Sequence, residues 1–198
     1  MFKSLSYKFA NILVRNEVIE DEDFEIYRYG FETLVYFIIN ISVALLIGIA
    51  LNKFIQTIIF LVCYCTLRQF TGGYHARNYT ECTITFALIY ISIILVTKNI
   101  DIYKFKYILI LLLLLSTVII HKVAPLEHRN KPLSIYEKKN YRNIIKKITL
   151  SIIIVVTISL IFNIMSEYII YSSLAVFLIT ILLLVQIIIN FFKNNLFS

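Results

Sequence analysis

Six apolar runs divide the chain, at roughly 33–51, 54–68, 83–97, 106–121, 144–165 and 168–190. Most approach the length of about 17–25 residues that carries a helix across a bilayer. The second and third are short, and their shortfall lies on the side of the polar stretch between them. Their tips are therefore expected to dip into the headgroup region there. The fifth and sixth are joined only by a tight turn around Ser166-Glu167. Ahead of the first run, residues 1–32 have a different pattern. Phe2, Leu5, Phe9, Ile12 and Asn16 fall on one helical stripe that is mostly apolar, with Lys3, Lys8 and Arg15 elsewhere. That spacing predicts an amphipathic helix lying on the membrane surface.

Composition supports a membrane solvent. The 198 residues are 60% hydrophobic, and the mean hydropathy is +0.83. A soluble domain of this length cannot hide that much apolar surface. With 4 Gly, 2 Pro and no Trp, long uninterrupted helices are expected, and not the alternating short segments of a membrane barrel. The reading is an all-α polytopic membrane protein of one domain: a cytosolic amphipathic leader over 1–32 and a six-helix membrane body over 33–198. The polar start, ending in the acidic run EDEDFE, does not resemble a cleavable signal peptide.

The net charge of +7 would suggest nucleic acid in a soluble protein. Here the cations cluster in loops, so topology is the simpler account and nucleic acid is not an expected partner. With the N-terminus inside, the inner face receives the basic residues of the leader, Arg68, Arg77, Arg129, Lys131 and the run YEKKNYRNIIKK. The outer face keeps only Lys53, Lys98, Lys104 and Lys106. This asymmetry predicts a multi-pass protein of the cell membrane with both termini cytoplasmic. Anionic lipids would meet the basic loops.

Candidate chemistry concentrates in one stretch, RQFTGGYHARNYTEC (Arg68–Cys82), on the side predicted to be cytoplasmic and reducing. A free thiol persists there. Cys82 is a candidate nucleophile and His75, seven residues earlier, a candidate base. Gly72-Gly73 lends the backbone freedom to bring them together. Asn78 as N-cap with Glu81 three residues on would form a capping box and put Cys82 in the first turn of a helix. Free N–H groups and the positive dipole end favour a thiolate there. Those N–H groups, or those of Gly72 and Gly73, could form an oxyanion hole. Gln69, Asn78 or Glu81 could orient the imidazole, and Arg68 and Arg77 could contact substrate or lipid phosphate. By itself a Cys/His pair is a weak signal, and a loop histidine beside an ordinary packing cysteine fits the same residues.

Other polar features fit less demanding roles. Cys63 and Cys65 lie inside a run and read as packing residues, with no disulfide framework. His121 and His128 lack the spacing of a zinc protease site, so no metal or other cofactor is expected. APLEHRNKPLS (Ala124–Ser134), bracketed by Pro125 and Pro132, predicts a stiff non-helical turn. Arg129 and Lys131 within it could bind lipid or dock an acidic peptide.

Three blocks make the chain similar to the accessory gene regulator protein B (AgrB) family of membrane cysteine endopeptidases. IYRYGFETL (Ile26–Leu34) resembles the family's Tyr/Gly/Glu lead into the first span. RQFTGGYHARNYTEC resembles its R…GG-x-H-x6-C catalytic block, and APLEHRNKPLS its P-x-E…N-K-P loop. The resemblance implies an AgrD-type precursor peptide as substrate, with an amphipathic leader and an acidic tail. It implies that Cys82 attacks at the tail junction with His75 as base, and that the resulting thioester is released by ring closure to a thiolactone or lactone. It also implies a homodimer, although no interface shows in the sequence. Two other classes fit six spans: a peptide transporter or exporter, and a non-catalytic peptide-binding scaffold. A transporter would be favoured by interior charges or paired broken helices. Neither stands out, and there is no internal repeat.

Overall fold

The computed structural model describes residues 2–73, 79–99, 102–127, 133–162 and 167–196. All regular structure in them is helical. The amphipathic helix α1 (Phe2–Arg15) is followed by a short 3-10 turn, Asp21–Asp23. Six long helices come next: α2 (Phe24–Ala50), α3 (Phe54–Thr71), α4 (Tyr79–Asn99), α5 (Ile102–Val123), α6 (Ile135–Ile161) and α7 (Glu167–Leu196). Each apolar run of the sequence is thus one helix. Among the described residues, four helical segments are long and apolar enough to cross a membrane: Asp21–Ala50, Phe54–Thr71, Thr80–Lys98 and Tyr168–Phe192. Tyr107–Val123 of α5 is apolar but shorter. α6 begins within the charged sequence ahead of its apolar run, because Ser134 and Glu137 close a reciprocal capping box at its start. The Ser134 N–H donates to the Glu137 carboxylate at 2.8 Å, and the Glu137 N–H to the Ser134 hydroxyl at 3.2 Å. Two of the four orphan donors of the helix end are satisfied in this way.

α7 is the central helix. It packs against α3, α5 and α6, and most extensively against α3. Small residues permit the approach: Ser172, Ser173 and Ala175 are all buried. The two serine hydroxyls return to the Ile169 carbonyl, at 2.7 and 3.0 Å, so no polar group is stranded. Two buried clusters result. One joins Leu67 of α3 with Leu113, Ile120, Ile145 and Leu183. The other joins Ala44, Phe60, Tyr90 and Tyr171.

α2 meets α3 and α4 on the far side. Gly48 makes the α2–α3 crossing close: a Cβ there would collide with the Thr57 hydroxyl. That hydroxyl is fully buried, donates to the Lys53 carbonyl at 2.7 Å and accepts from the Tyr90 hydroxyl at 2.6 Å. α1 folds back on the start of α2 through its smallest residues. Ser6 and Ala10 are fully buried, while Leu5, Phe9 and Ile12 are 42%, 44% and 51% exposed. The apolar stripe of α1 therefore faces outward, as a helix lying in a membrane surface requires.

Candidate functional site

The polar stretch after α3 is held by the end of that helix. Leu67 and Thr71 are fully buried, and the Phe70 ring meets Tyr141 of α6 edge-on, with centroids 5.3 Å apart. Gly72 ends the helix with φ 68° and ψ −149°, a conformation that side chains other than glycine rarely adopt, and its N–H returns to the Arg68 carbonyl at 3.3 Å. The Arg68 guanidinium donates to the Gly72 carbonyl. Gly73 follows at φ 115°.

The turn is clamped from outside as well. The Leu126 N–H donates to the Thr71 carbonyl at 2.9 Å. A Cβ on Gly72 would collide with the Leu126 carbonyl oxygen. One on Gly73 would collide with the Arg68 guanidinium and reach Leu183 of α7 at 3.4 Å. The two polar landmarks of the sequence, RQFTGG and APLE, are therefore in direct contact. The glycine pair gives close approach where the sequence suggested freedom of movement. The Gly72 N–H is also committed to the helix end, which leaves the oxyanion role to other donors. Pro125 follows a cis peptide, and Glu127 pairs with Lys138 of α6.

Cys82 is the fourth residue of α4 and is half-buried. It shares a helix face with Phe86 and Tyr90 at four-residue steps. Those rings interleave with α3. Phe86 lies 5.5 Å from Tyr64, Tyr64 stacks on Phe60 at 5.7 Å, and Phe60 lies 4.9 Å from Tyr90. The ladder runs toward the Cys82 end of the pair, with Tyr64 one turn before Arg68 on α3 and Phe86 one turn after Cys82 on α4. This brings Arg68, Gly72, Gly73 and Cys82 to one end of the α3–α4 pair.

Gln69 and Glu81 are exposed at that end. His75, Arg77, Asn78, Arg129 and Lys131 lie outside the described residues, as does the Asn78 half of the expected capping box. Cys63 and Cys65 pack against the buried clusters and are free thiols. At the end of α5, the His121 ring nitrogen Nε2 is 2.8 Å from the Thr149 hydroxyl. Among the described residues no group of three His, Cys, Asp or Glu side chains is arranged to hold a metal. A cavity of about 350 Å³ lies at the opposite end of α4, lined by Leu51–Lys53, Ile94, Leu95 and Lys98, and is remote from Cys82.

Sequence reasoning missed Tyr64, the Leu126 clamp and the Thr57–Tyr90 bond, all of which are contacts between distant segments. It also missed the α6 cap, which Ser-x-x-Glu at 134–137 does signal.

The fold and this end of it define a helical membrane protein with a half-buried cysteine and a clamped glycine turn at the same end of the α3–α4 pair. The chain matches the family Accessory gene regulator B over residues 6–189 and belongs to that family. It is similar to AgrB-like protein 2 of Clostridium perfringens, with 29% identity over 178 residues, covering 87% of this chain and 80% of that protein. It is also similar to Accessory gene regulator protein B of Staphylococcus aureus, with 29% identity over 139 residues, covering 70% of this chain and 74% of that protein. No solved structure matches.

Proposed function

We propose that this protein is a membrane cysteine endopeptidase that matures an AgrD-type quorum-sensing peptide. The observation that carries the reading is the position of Cys82 in the first turn of α4, at the same end of the α3–α4 pair as the clamped Arg68–Gly73 turn, in a chain of the accessory gene regulator B family. The Cys82 thiolate attacks the carbonyl at the junction of the acidic tail. His75 takes the thiol proton and returns it to the leaving amine, so the tail departs and a thioester remains. An internal Cys or Ser of the peptide then attacks the thioester, Cys82 is regenerated, and a ring closes. The exchange needs water kept out, which suits a centre at the mouth of a membrane domain. The N-terminal end of α4 supplies candidate oxyanion donors.

The remaining roles follow from charge. Arg77, Arg129 and Lys131 are assigned to the acidic tail by their charge, Glu81 is assigned to a polar part of the substrate, and the basic loops suit an acidic tail. The site faces the cytoplasm, and a homodimer is the proposed assembly. A transporter or a non-catalytic scaffold is the competing class, and Cys82 separates them.

The test is precursor processing in lipid vesicles, read by mass spectrometry. Wild-type protein is expected to release the tail and to gain the mass of the remaining peptide. Cys82→Ala and His75→Ala are expected to do neither. Undiminished cleavage by Cys82→Ala would overturn the endopeptidase reading. Chelator is expected to leave the rate unchanged.

A further inference from the structure

Three apolar helices end at one level on the side of the molecule away from Cys82. α2 stops at Ala50, α3 starts at Phe54 and α4 stops at Asn99. The membrane-crossing segments of all three end there too, so this level is that of the lipid headgroups. The cavity of about 350 Å³ lies among these helix ends, lined by Leu51, Asn52, Lys53, Ile94, Leu95 and Lys98. Small-molecule sites typically span about 300–1,000 Å³. Nothing in the proposed reaction uses this one.

Its lining is of two kinds. Ile94 is buried and belongs to the cluster of Phe60 and Tyr90, so it forms the inner wall. Leu51 and Leu95 are exposed, which turns the apolar part of the mouth toward lipid. The remaining lining is polar or cationic. Asn52, at φ 57°, makes the turn between α2 and α3, and Lys53 is the N-cap residue of α3. The start of that helix adds the positive end of its dipole beside the Lys53 ammonium. Lys98 approaches from α4. Among the described residues lining the cavity, every charge is positive. Snorkelling of two lysines to water needs no cavity between them.

We propose that this cavity binds the headgroup of an anionic phospholipid, with the Lys53 and Lys98 ammoniums on its phosphate and its glycerol and upper acyl carbons against Leu51, Ile94 and Leu95. The lining selects the occupant. A free inorganic anion leaves the three apolar side chains unused. A choline headgroup brings its own cation to a site that already holds two. A net-negative phospholipid matches both kinds of lining. The site is separate from the basic loops at the Cys82 end, and it stands whether or not the protein is an endopeptidase.

The experiment reads lipid preference at the cavity in full-length protein in vesicles. Ile55→Cys, close to Lys53 but outside the lining, carries a bimane fluorophore in a background without native cysteines. Phosphatidylglycerol or phosphatidylcholine bearing a doxyl quencher near its headgroup is titrated against unlabelled phosphatidylcholine. Phosphatidylglycerol is expected to bind beside the reporter about tenfold more tightly than phosphatidylcholine, and Lys53→Gln with Lys98→Gln to bring the two lipids level. Lys53→Arg with Lys98→Arg, which keeps both charges, is expected to retain the preference. So is Lys104→Gln with Lys106→Gln, which removes as much charge from elsewhere on the chain. Equal binding of the two lipids to the parent protein overturns the proposal, as does a preference that survives the loss of Lys53 and Lys98. An equal loss on neutralising Lys104 and Lys106 overturns it as well, since the lipid would then be reading general surface charge. Inorganic phosphate that abolishes the preference, where chloride at the same ionic strength does not, would assign the cavity to a free anion and overturn the lipid.

Discussion

Gly72 holds φ 68° with its α-carbon against the Leu126 carbonyl, and Gly73 holds φ 115° against Arg68. Each combines a backbone conformation costly to other residues with a space that has no room for a methyl group. Gly72→Ala is therefore expected to cost about 1–3 kcal/mol through strain alone, and to separate the 72–73 turn from the 124–127 loop. Thermal unfolding in detergent would measure the first effect. A cross-link between cysteines placed at Gln69 and Glu127, in a background without native cysteines, would report the second. An unchanged melting temperature and cross-link would show that the clamp is not needed. The same residues show where reading from sequence stops. A Gly-Gly pair beside a His and a Cys marks special backbone geometry, but mobile and clamped turns use the same letters. Leu126, which decides between them, is more than fifty positions away and carries no chemical label.

At the scale of elements, the helices follow from apolar period and length, and their contacts follow from a few small or polar residues. The α2–α3 crossing depends on Gly48 facing Thr57. Gly48→Ala is expected to destabilise the protein by about 1–3 kcal/mol by overpacking. Thr57→Ala costs about 1 kcal/mol by removing the partner of the Tyr90 hydroxyl. Because both act on one contact, the double variant should lose less than the sum, and an additive cycle would contradict the shared contact. The start of α6 makes a separate case. Ser134→Ala removes the hydroxyl that accepts from Glu137 and should cost about 1 kcal/mol. Circular dichroism during heating would detect that loss, and full stability in the variant would show that the cap contributes nothing. This cap was legible as Ser-x-x-Glu. The crossing was not, since a lone glycine inside an apolar helix does not announce its neighbour.

For the whole molecule, the charge asymmetry between loops yields an orientation that labelling can check. With an impermeant maleimide and otherwise cysteine-free protein in intact cells, Lys98→Cys is expected to react from outside. Tyr136→Cys, at a side chain 80% exposed, is expected to react only after permeabilisation. The reverse pattern would turn the molecule over and move the proposed site to the outer face. The charge pattern also bears on docking. Neutralising Arg129 with Lys131 is expected to slow precursor processing more than neutralising Lys104 with Lys106. Equal effects would remove the 124–134 loop from substrate recognition.

The membrane class, the helical segments, the outward apolar stripe of α1 and the motifs that suggest the family are all written along the chain. They depend on local period, length and residue type, which a linear reading can sum. The central place of α7, the contact between the 72–73 turn and the 124–127 loop, and the Tyr64–Phe86 and Thr57–Tyr90 contacts were decided only when the helices packed. Each depends on which faces meet and at what register. In a bilayer those choices turn on close fit and hydrogen-bond pairing between distant segments, because an apolar face is satisfied by lipid as readily as by protein.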